Sequence, residues 1–398
     1  MSTEALTHVH PSRRAVLKAA ALATVAAPLF GARAAFAAEE YVIGIASGQT
    51  GGLAPFDQPS LAGFRFAIDE INAGGGFAGK YPAKLIIKET RSDTAQTVQA
   101  VQELVQDGVQ FVITPADGDP TMAAGQITQP AGIPTMTFAG TAPILTSVGD
   151  FVFGSYPADN QQMLVLATYA LELGYKRAYL LKSPDAAYTL KGPEYFAEVF
   201  KAGGGEIVGE GMFTMNQPDF SAEVTKIKGL SPAPDVIMTC AWEPDLPAFL
   251  KQLRAAGVTI PVMGADVCDT PTVRALGEIV EGLVHTSGGF AEPGDKHDAF
   301  NKAFKAATGV EPDTNYYVNA YDMAYMIDNA IRAAGSTDPK AVRDALANLE
   351  NVPGAMSAYT FKGTDRMPLR SVALARIENG QKVLIERITP DAAALPKP

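Results

Sequence analysis

Histidine, cysteine and tryptophan are scarce in this chain, and an excess of positive charge is missing altogether. Of four histidines, His8 and His10 fall in the first ten residues, leaving only His285 and His297 for the rest. That shortage argues against chemistry that needs a histidine base or a histidine-rich metal cluster. Lys+Arg number 32 against 43 Asp+Glu, a net charge of −11. An acidic chain without a basic block is a poor partner for nucleic acid or an anionic membrane surface. The two cysteines, Cys240 and Cys268, fall at or just after the ends of neighbouring expected strands. Both a disulfide and a pair of small buried hydrophobes fit that placement; with one histidine they make a poor zinc site. No G-x-S-x-G elbow and no H-E-x-x-H occurs, so neither a serine hydrolase nor a zincin is indicated, and no cofactor is called for.

One glycine cluster imitates a phosphate-binding loop. Gly74-Gly75-Gly76-Phe77-Ala78-Gly79-Lys80 has the spacing, but Tyr81 stands where Ser or Thr would meet magnesium. The cluster also follows a helical pattern and precedes a strand, the reverse of the order that aims a helix N-terminus at phosphate. It reads as a helix-to-strand turn.

At 398 residues, 47% hydrophobic and 19% charged, the chain is globular and long enough for two domains with cores of their own. Ser12-Arg13-Arg14 precedes the apolar run 19–30 and the small residues of Ala35-Phe36-Ala37. That run is short of the ~20 residues a membrane span needs. The segment 1–37 reads as an export signal of the twin-arginine type, cut after Ala37. Its removal takes away four basic and one acidic side chain, leaving a net charge of −14, on a protein expected in the periplasm.

Short apolar runs and amphipathic stretches then alternate. Strands are expected at 41–46, 83–88, 110–114 and 133–137, with helices at 59–72, 95–106 and 120–129. The alternation restarts with helix 160–173, strand 177–181, helix 188–202 and strand 207–213. It continues through helix 221–228, strand 235–240, helix 244–256 and strand 260–263. Such βαβ repetition gives parallel sheets covered by helices on both faces. Three consecutive helices follow, at 296–307, 316–334 and 339–349, and then extended pieces near 359–361, 371–377 and 382–388. This last third completes structures already begun, and the Pro/Ala-rich tail 391–398 reads as disordered.

The stretches Ile45-Ala46-Ser47-Gly48 and Gly63-Phe64-Arg65-Phe66-Ala67-Ile68-Asp69-Glu70-Ile71-Asn72 are recognisable, as are Ala131-Gly132-Ile133-Pro134 and Ala139-Gly140-Thr141-Ala142-Pro143. From about Tyr41 to Ile388 the chain resembles the leucine/isoleucine/valine-binding proteins, the periplasmic solute-binding components of ABC transporters. The resemblance implies two doubly wound parallel-sheet lobes, 38–156 with 287–355 and 157–286 with 356–390. A three-segment hinge near 154–158, 284–290 and 354–358 would join them in a type I periplasmic binding fold. It implies a monomer that closes on a small-molecule solute and docks on permease and ATPase subunits, without catalysis. A receptor docking on a sensor kinase is the competing class.

Pocket residues carry over one at a time. Ala139, through its carbonyl, and Thr141, through its hydroxyl, match the family's ligand loop; Thr141 also suits a helix N-cap before Pro143. Tyr188 and the lone Trp242 align with aromatic walls, although a lone tryptophan more often fills a core. Asp266 takes the place of the acid that receives the ligand's ammonium group, and Tyr316 that of a further aromatic wall. Ser47 ends the first strand at the pocket edge. One departure stands out. Where amino-acid binders carry serines for the ligand carboxylate, this chain has Pro115-Ala116-Asp117-Gly118-Asp119-Pro120. Asp119 before Pro120 reads as the helix N-cap, and its charge would repel a ligand carboxylate; each charged hydrogen bond lost costs roughly 1.5–3 kcal/mol. The resemblance nonetheless keeps a branched-chain or related amino acid as the expected ligand, with an aromatic acid, amide or urea-like solute as the alternative.

Overall fold

In the computed structural model, which describes residues 39–398, the alternating pattern builds two principal sheets. The twin-arginine segment and the cleavage expected after Ala37 lie outside the described residues. The first sheet is built from β1 (Tyr41–Ser47), β2 (Ala83–Glu89), β3 (Phe111–Thr114), β4 (Thr135–Thr137) and β5 (Val152–Phe153), in the order β2-β1-β3-β4-β5, all parallel. Helices α1 (Ala54–Ala73), α2 (Thr94–Gln106) and α3 (Gly118–Ala131) alternate with the strands. The local reasons are ordinary. Asp93 caps α2 by accepting from Gln96 N, and Thr97, Ala100, Val101 and Leu104 form its buried stripe at helical spacing. All four residues of β3 are buried, as a central parallel strand requires.

The second sheet repeats this winding. After α4 (Asp159–Glu172) come β6 (Arg177–Lys182), α5 (Ala187–Ala202), β7 (Glu206–Met212) and α6 (Ser221–Gly229). The series continues with β8 (Val236–Thr239), α7 (Asp245–Ala255), β9 (Val262–Gly264), the single turn α8 (Pro271–Arg274) and β10 (Val284–Ser287). Strands β7-β6-β8-β9-β10 run parallel. Two more strands, β13 (Val372–Glu378) and β14 (Gln381–Ile388), are antiparallel, so the second sheet is mixed rather than purely parallel as expected. A two-residue connection, Asn379-Gly380, joins them, too short for a parallel crossover.

Three further helices, α9 (Lys296–Thr308), α10 (Tyr316–Ala334) and α11 (Pro339–Ala347), lie between β10 and a small hairpin of β11 (Tyr359–Thr360) and β12 (Leu369–Arg370). Helix α10 supplies Met323, Met326, Ile327 and Ile331 to the core that holds Ile43 and Phe111 of the first sheet and Phe64 of α1. It approaches α1 closely: a Cβ added to Gly63 would lie 1.9 Å from the Tyr317 carbonyl oxygen. The chain leaves the first sheet after Phe153, returns through α9 and α10, and leaves again before Val372. That last passage is longer than the expected 354–358, because Tyr359 and Phe361 still pack in the first core, with Phe361 edge-on to Phe153. The tail departs from expectation too. Ala392–Ala394 form a 3-10 turn, and Asn160 Nδ2 donates to the Pro396 carbonyl at 2.9 Å, so hydrogen bonding and packing hold it despite its composition.

Candidate functional site

In both sheets the strand order reverses between the first-formed strand and the third-formed one: between β1 and β3, and between β6 and β8. Doubly wound sheets bind ligands outside the carboxyl ends of their strands at such reversals. The loops that leave those points meet around one small cavity lined from both sheets.

From the first sheet, Ala116, Asp117 and Gly118 after β3 and Ala139, Gly140 and Thr141 after β4 line the cavity, together with Leu53 and Phe56 beside the start of α1. Hydrogen bonds stitch these loops together. The Thr137 hydroxyl donates to the Pro115 carbonyl at 2.6 Å and accepts from Gly140 N at 2.9 Å. Gly140 is needed for close approach: a Cβ there would lie 2.8 Å from Thr137 Oγ1 and 3.0 Å from the Asp117 backbone. Asp57 on α1 is fully buried and accepts from Gly48 N at 2.6 Å and from Ala116 N at 2.7 Å, tying the loops after β1 and β3 to one carboxylate.

From the second sheet come Tyr188, Trp242, Asp266 and Val267, and Tyr316 completes the wall from the start of α10. Tyr188 and Trp242 flank the reversal between β6 and β8, with ring centroids 5.7 Å apart. The Tyr188 hydroxyl donates to Asp266 Oδ1 at 3.0 Å and that of Tyr316 to Asp266 Oδ2 at 3.3 Å. Phe56 meets the Tyr316 ring edge-on at 5.4 Å, and Tyr156 stacks on it at 5.9 Å. Burial pushes Asp266 up to about 6, against the hydroxyls that favour its charged form. No lysine, arginine or histidine lines the cavity among the described residues.

Of the residues singled out from sequence, Ala139, Thr141, Tyr188, Trp242, Asp266 and Tyr316 thus converge on one cavity. Two do not. Ser47 is buried at the end of β1, where its hydroxyl lies 3.4 Å from Asp57 Oδ2 and accepts from Gln49 Nε2 at 2.6 Å. Helix α1 begins at Ala54, five residues before the expected Pro59, and brings Leu53 and Phe56 to the lining instead. Asp119 is not the N-cap of α3: the helix starts at Gly118, Asp117 precedes it as the cap, and Pro120 is its third residue. From the first turn Asp119 reaches across to the second sheet's side, where its Oδ2 accepts from Ala187 N at the start of α5, 3.2 Å away. Nor does Thr141 cap a helix: Ala142 precedes the 3-10 turn Pro143–Val148, without a side-chain cap. Sequence reasoning also passed over Asp57 and Asp117; in Asp-Gly-Asp-Pro either aspartate has capping chemistry, and only the start of α3 separates them. Cys240 and Cys268 are free, buried thiols, packed beneath Gly192 and Gly264 respectively.

Two sheets whose reversal points face one shared cavity have the architecture of a two-sided ligand-binding protein. Residues 40–382 match the family model of the periplasmic binding proteins, and the chain belongs to that family. The Leu/Ile/Val-binding protein BraC3 of Rhizobium johnstonii is 28% identical over 367 residues, spanning 92% of this chain and 98% of that protein. The branched-chain amino acid transporter substrate-binding protein LivJ of Streptococcus pneumoniae, solved with isoleucine, superposes with a TM-score of 0.79 at 26% identity, over 88% of this chain and 100% of that one. A solute-binding protein of R. palustris in complex with 4-hydroxybenzoate shares the fold, with a TM-score of 0.79 at 22% identity over 89% of this chain and 99% of that one. These relatives are periplasmic binding proteins, substrate-binding components of ABC transporters rather than enzymes.

Proposed function

We propose that this protein captures a small amine-bearing solute, an amino acid of the branched-chain kind or a close derivative, and hands it to an ABC permease with its ATPase. The ligand's ammonium group sits on Asp266, braced by the Tyr188 and Tyr316 hydroxyls, while the Ala139–Thr141 loop holds it from the first sheet. One observation carries this reading: the cavity has a buried carboxylate that accepts from the Tyr188 hydroxyl, with the Tyr316 hydroxyl shared between it and the Asp266 carbonyl, and no lysine, arginine or histidine in the lining among the described residues to neutralise it. A buried charge in that position needs a partner, and a bound cation supplies it. The protein works as an exported monomer whose two lobes, hinged on the passages between the sheets, open and close. Ligand contacts available only when both lobes engage shift that equilibrium, and the Asp119–Ala187 hydrogen bond across the cleft helps hold the closed form.

An aromatic acid is the second reading, favoured by the three aromatic rings of Tyr188, Trp242 and Tyr316 in the lining. The two part in a thermal-shift screen of amino acids, amines and aromatic acids, where only a true ligand raises the melting temperature. Amines should stabilise the protein and benzoates should not. Asp266→Asn should then weaken amine binding at least tenfold by calorimetry; unchanged affinity would remove Asp266 from the site.

A further inference from the structure

Asp266 lines the cavity from the second sheet, and a second carboxylate lines it from the first. Asp117 stands before α3 and lines the cavity from the first sheet. Its one side-chain hydrogen bond, accepted from Asp119 N, is long at 3.4 Å, so most of its accepting capacity is free. A third carboxylate lies close by. Asp159, in the first turn of α4, is 1% exposed, and its Oδ2 has no partner. Burial raises it well above the usual range, and the charges of Asp266 and Asp117 add to that, outweighing the Thr141 hydroxyl. Burial, with the nearby charge of Asp119, likewise lifts Asp117 to about 7.

Three buried or half-buried cations already have carboxylate partners of their own. Lys382 and Arg274 pair with Asp269, and the buried Arg370 pairs with Asp322. An α-amino acid seated with its ammonium group on Asp266 would therefore bring its carboxylate beside Asp117 and Asp159, where burial already disfavours negative charge and no cation lines the cavity among the described residues. The departure from the family's ligand loop noted above thus acts through Asp117, since Asp119 points across the cleft.

Resting on the capture of an amine at Asp266, we infer that the cavity selects a small solute with N–H donors at both ends and no free carboxylate, such as an amino-acid amide or a short diamine. Asp266 takes the ammonium group and Asp117 accepts from the second N–H donor group, while the aromatic and aliphatic lining packs against the solute's apolar carbons.

Calorimetric titration of the purified full chain with L-leucine, L-leucinamide and 1,5-diaminopentane tests this. Leucinamide should bind at least tenfold more tightly than leucine, and the diamine more tightly than leucine as well. Asp117→Asn should shrink or invert the leucinamide preference, because an asparagine still caps α3 but offers a donor where the carboxylate stood. Leucine binding at least as tightly as leucinamide to the unaltered protein overturns the inference while leaving amine capture standing, and this comparison needs no variant to fold. A preference unchanged in Asp117→Asn overturns the role given to Asp117. If none of the three amines binds, capture of an amine fails and the inference fails with it.

Discussion

A carboxylate such as Asp266, held by two tyrosine hydroxyls and no cation, makes stability depend on pH in a direction that can be worked out. Asp117 and Asp57 are pushed up to about 7 from 3.8, chiefly by burial. Their folded proton affinity exceeds the unfolded one, so their contribution is fully present below about pH 4 and is lost as pH rises through about 7. His297 opposes this at lower pH. Burial depresses it to about 4 from 6.5, so its contribution grows with pH only up to about 6.5. Above that point the aspartates act alone. The melting temperature of the ligand-free protein should therefore fall between pH 6.5 and 8, and Asp117→Asn should flatten the slope. A melting temperature that rises across this window contradicts the burial of these groups. The resemblance to the family's pocket motifs is what picked out Tyr188, Trp242, Asp266 and Tyr316, and the structure brings all four to the lining of one cavity. It was not enough for Ser47 and Asp119. Asp119 lies one residue past Gly118 of the lining, and a shift of one or two residues in where a helix starts turns a side chain to another face; Ser47 lies six residues before Leu53, buried at the end of β1.

Helices and loops owe their position to a few close contacts. Where α1 and α10 meet at Gly63, a methyl group has no room, since the obstacle is the Tyr317 carbonyl and not a movable side chain. Gly63→Ala should cost about 1–3 kcal/mol in urea unfolding, although alanine is the better helix former. Asp57 holds two loops through two backbone N–H groups. Asp57→Ala leaves both donors unpaired at about 1–3 kcal/mol each, and should also weaken ligand binding by loosening the Ala116–Gly118 edge. Unchanged affinity beside lost stability would confine Asp57 to a purely structural role. Strands and helices of this kind were legible from period alone, with boundaries off by a few residues. Helix α1 was the poorest, because Pro59 reads as a helix start while Pro55 in fact occupies the first turn.

Across the whole molecule, one side chain gathers the passages between the sheets. Arg370, fully buried, donates from Nη2 to Asp322 Oδ2 at 2.5 Å and to the Ser357 carbonyl at 2.9 Å. Nη1 reaches the Ser155 carbonyl and Asn319 Oδ1, both at 3.1 Å, and Nε reaches Ser357 Oγ at 3.0 Å. All five guanidinium donors are used. They join the first passage (Ser155), the last (Ser357) and α10 to the strand that leads into the second sheet. Removing one partner of such a buried pair typically costs about 3–5 kcal/mol. Arg370→Ala should lose stability on that scale, and adding Asp322→Asn should recover part of it by removing the stranded charge. If Arg370→Ala unfolds at the same urea concentration as the parent, this knot holds nothing together.

The order of strands and helices and the parallel α/β architecture were determined by sequence alone, since they follow from local periodicity, while the two-lobed form and the aromatic and acidic character of the site followed from the resemblance of its motifs to a known family. Tertiary structure decided which of Asp117 and Asp119 faces the cavity, that Arg370 ties the passages together, and that the tail is held by Asn160. Each of these depends on groups distant in the chain meeting at hydrogen-bond range, and no local pattern encodes such a meeting.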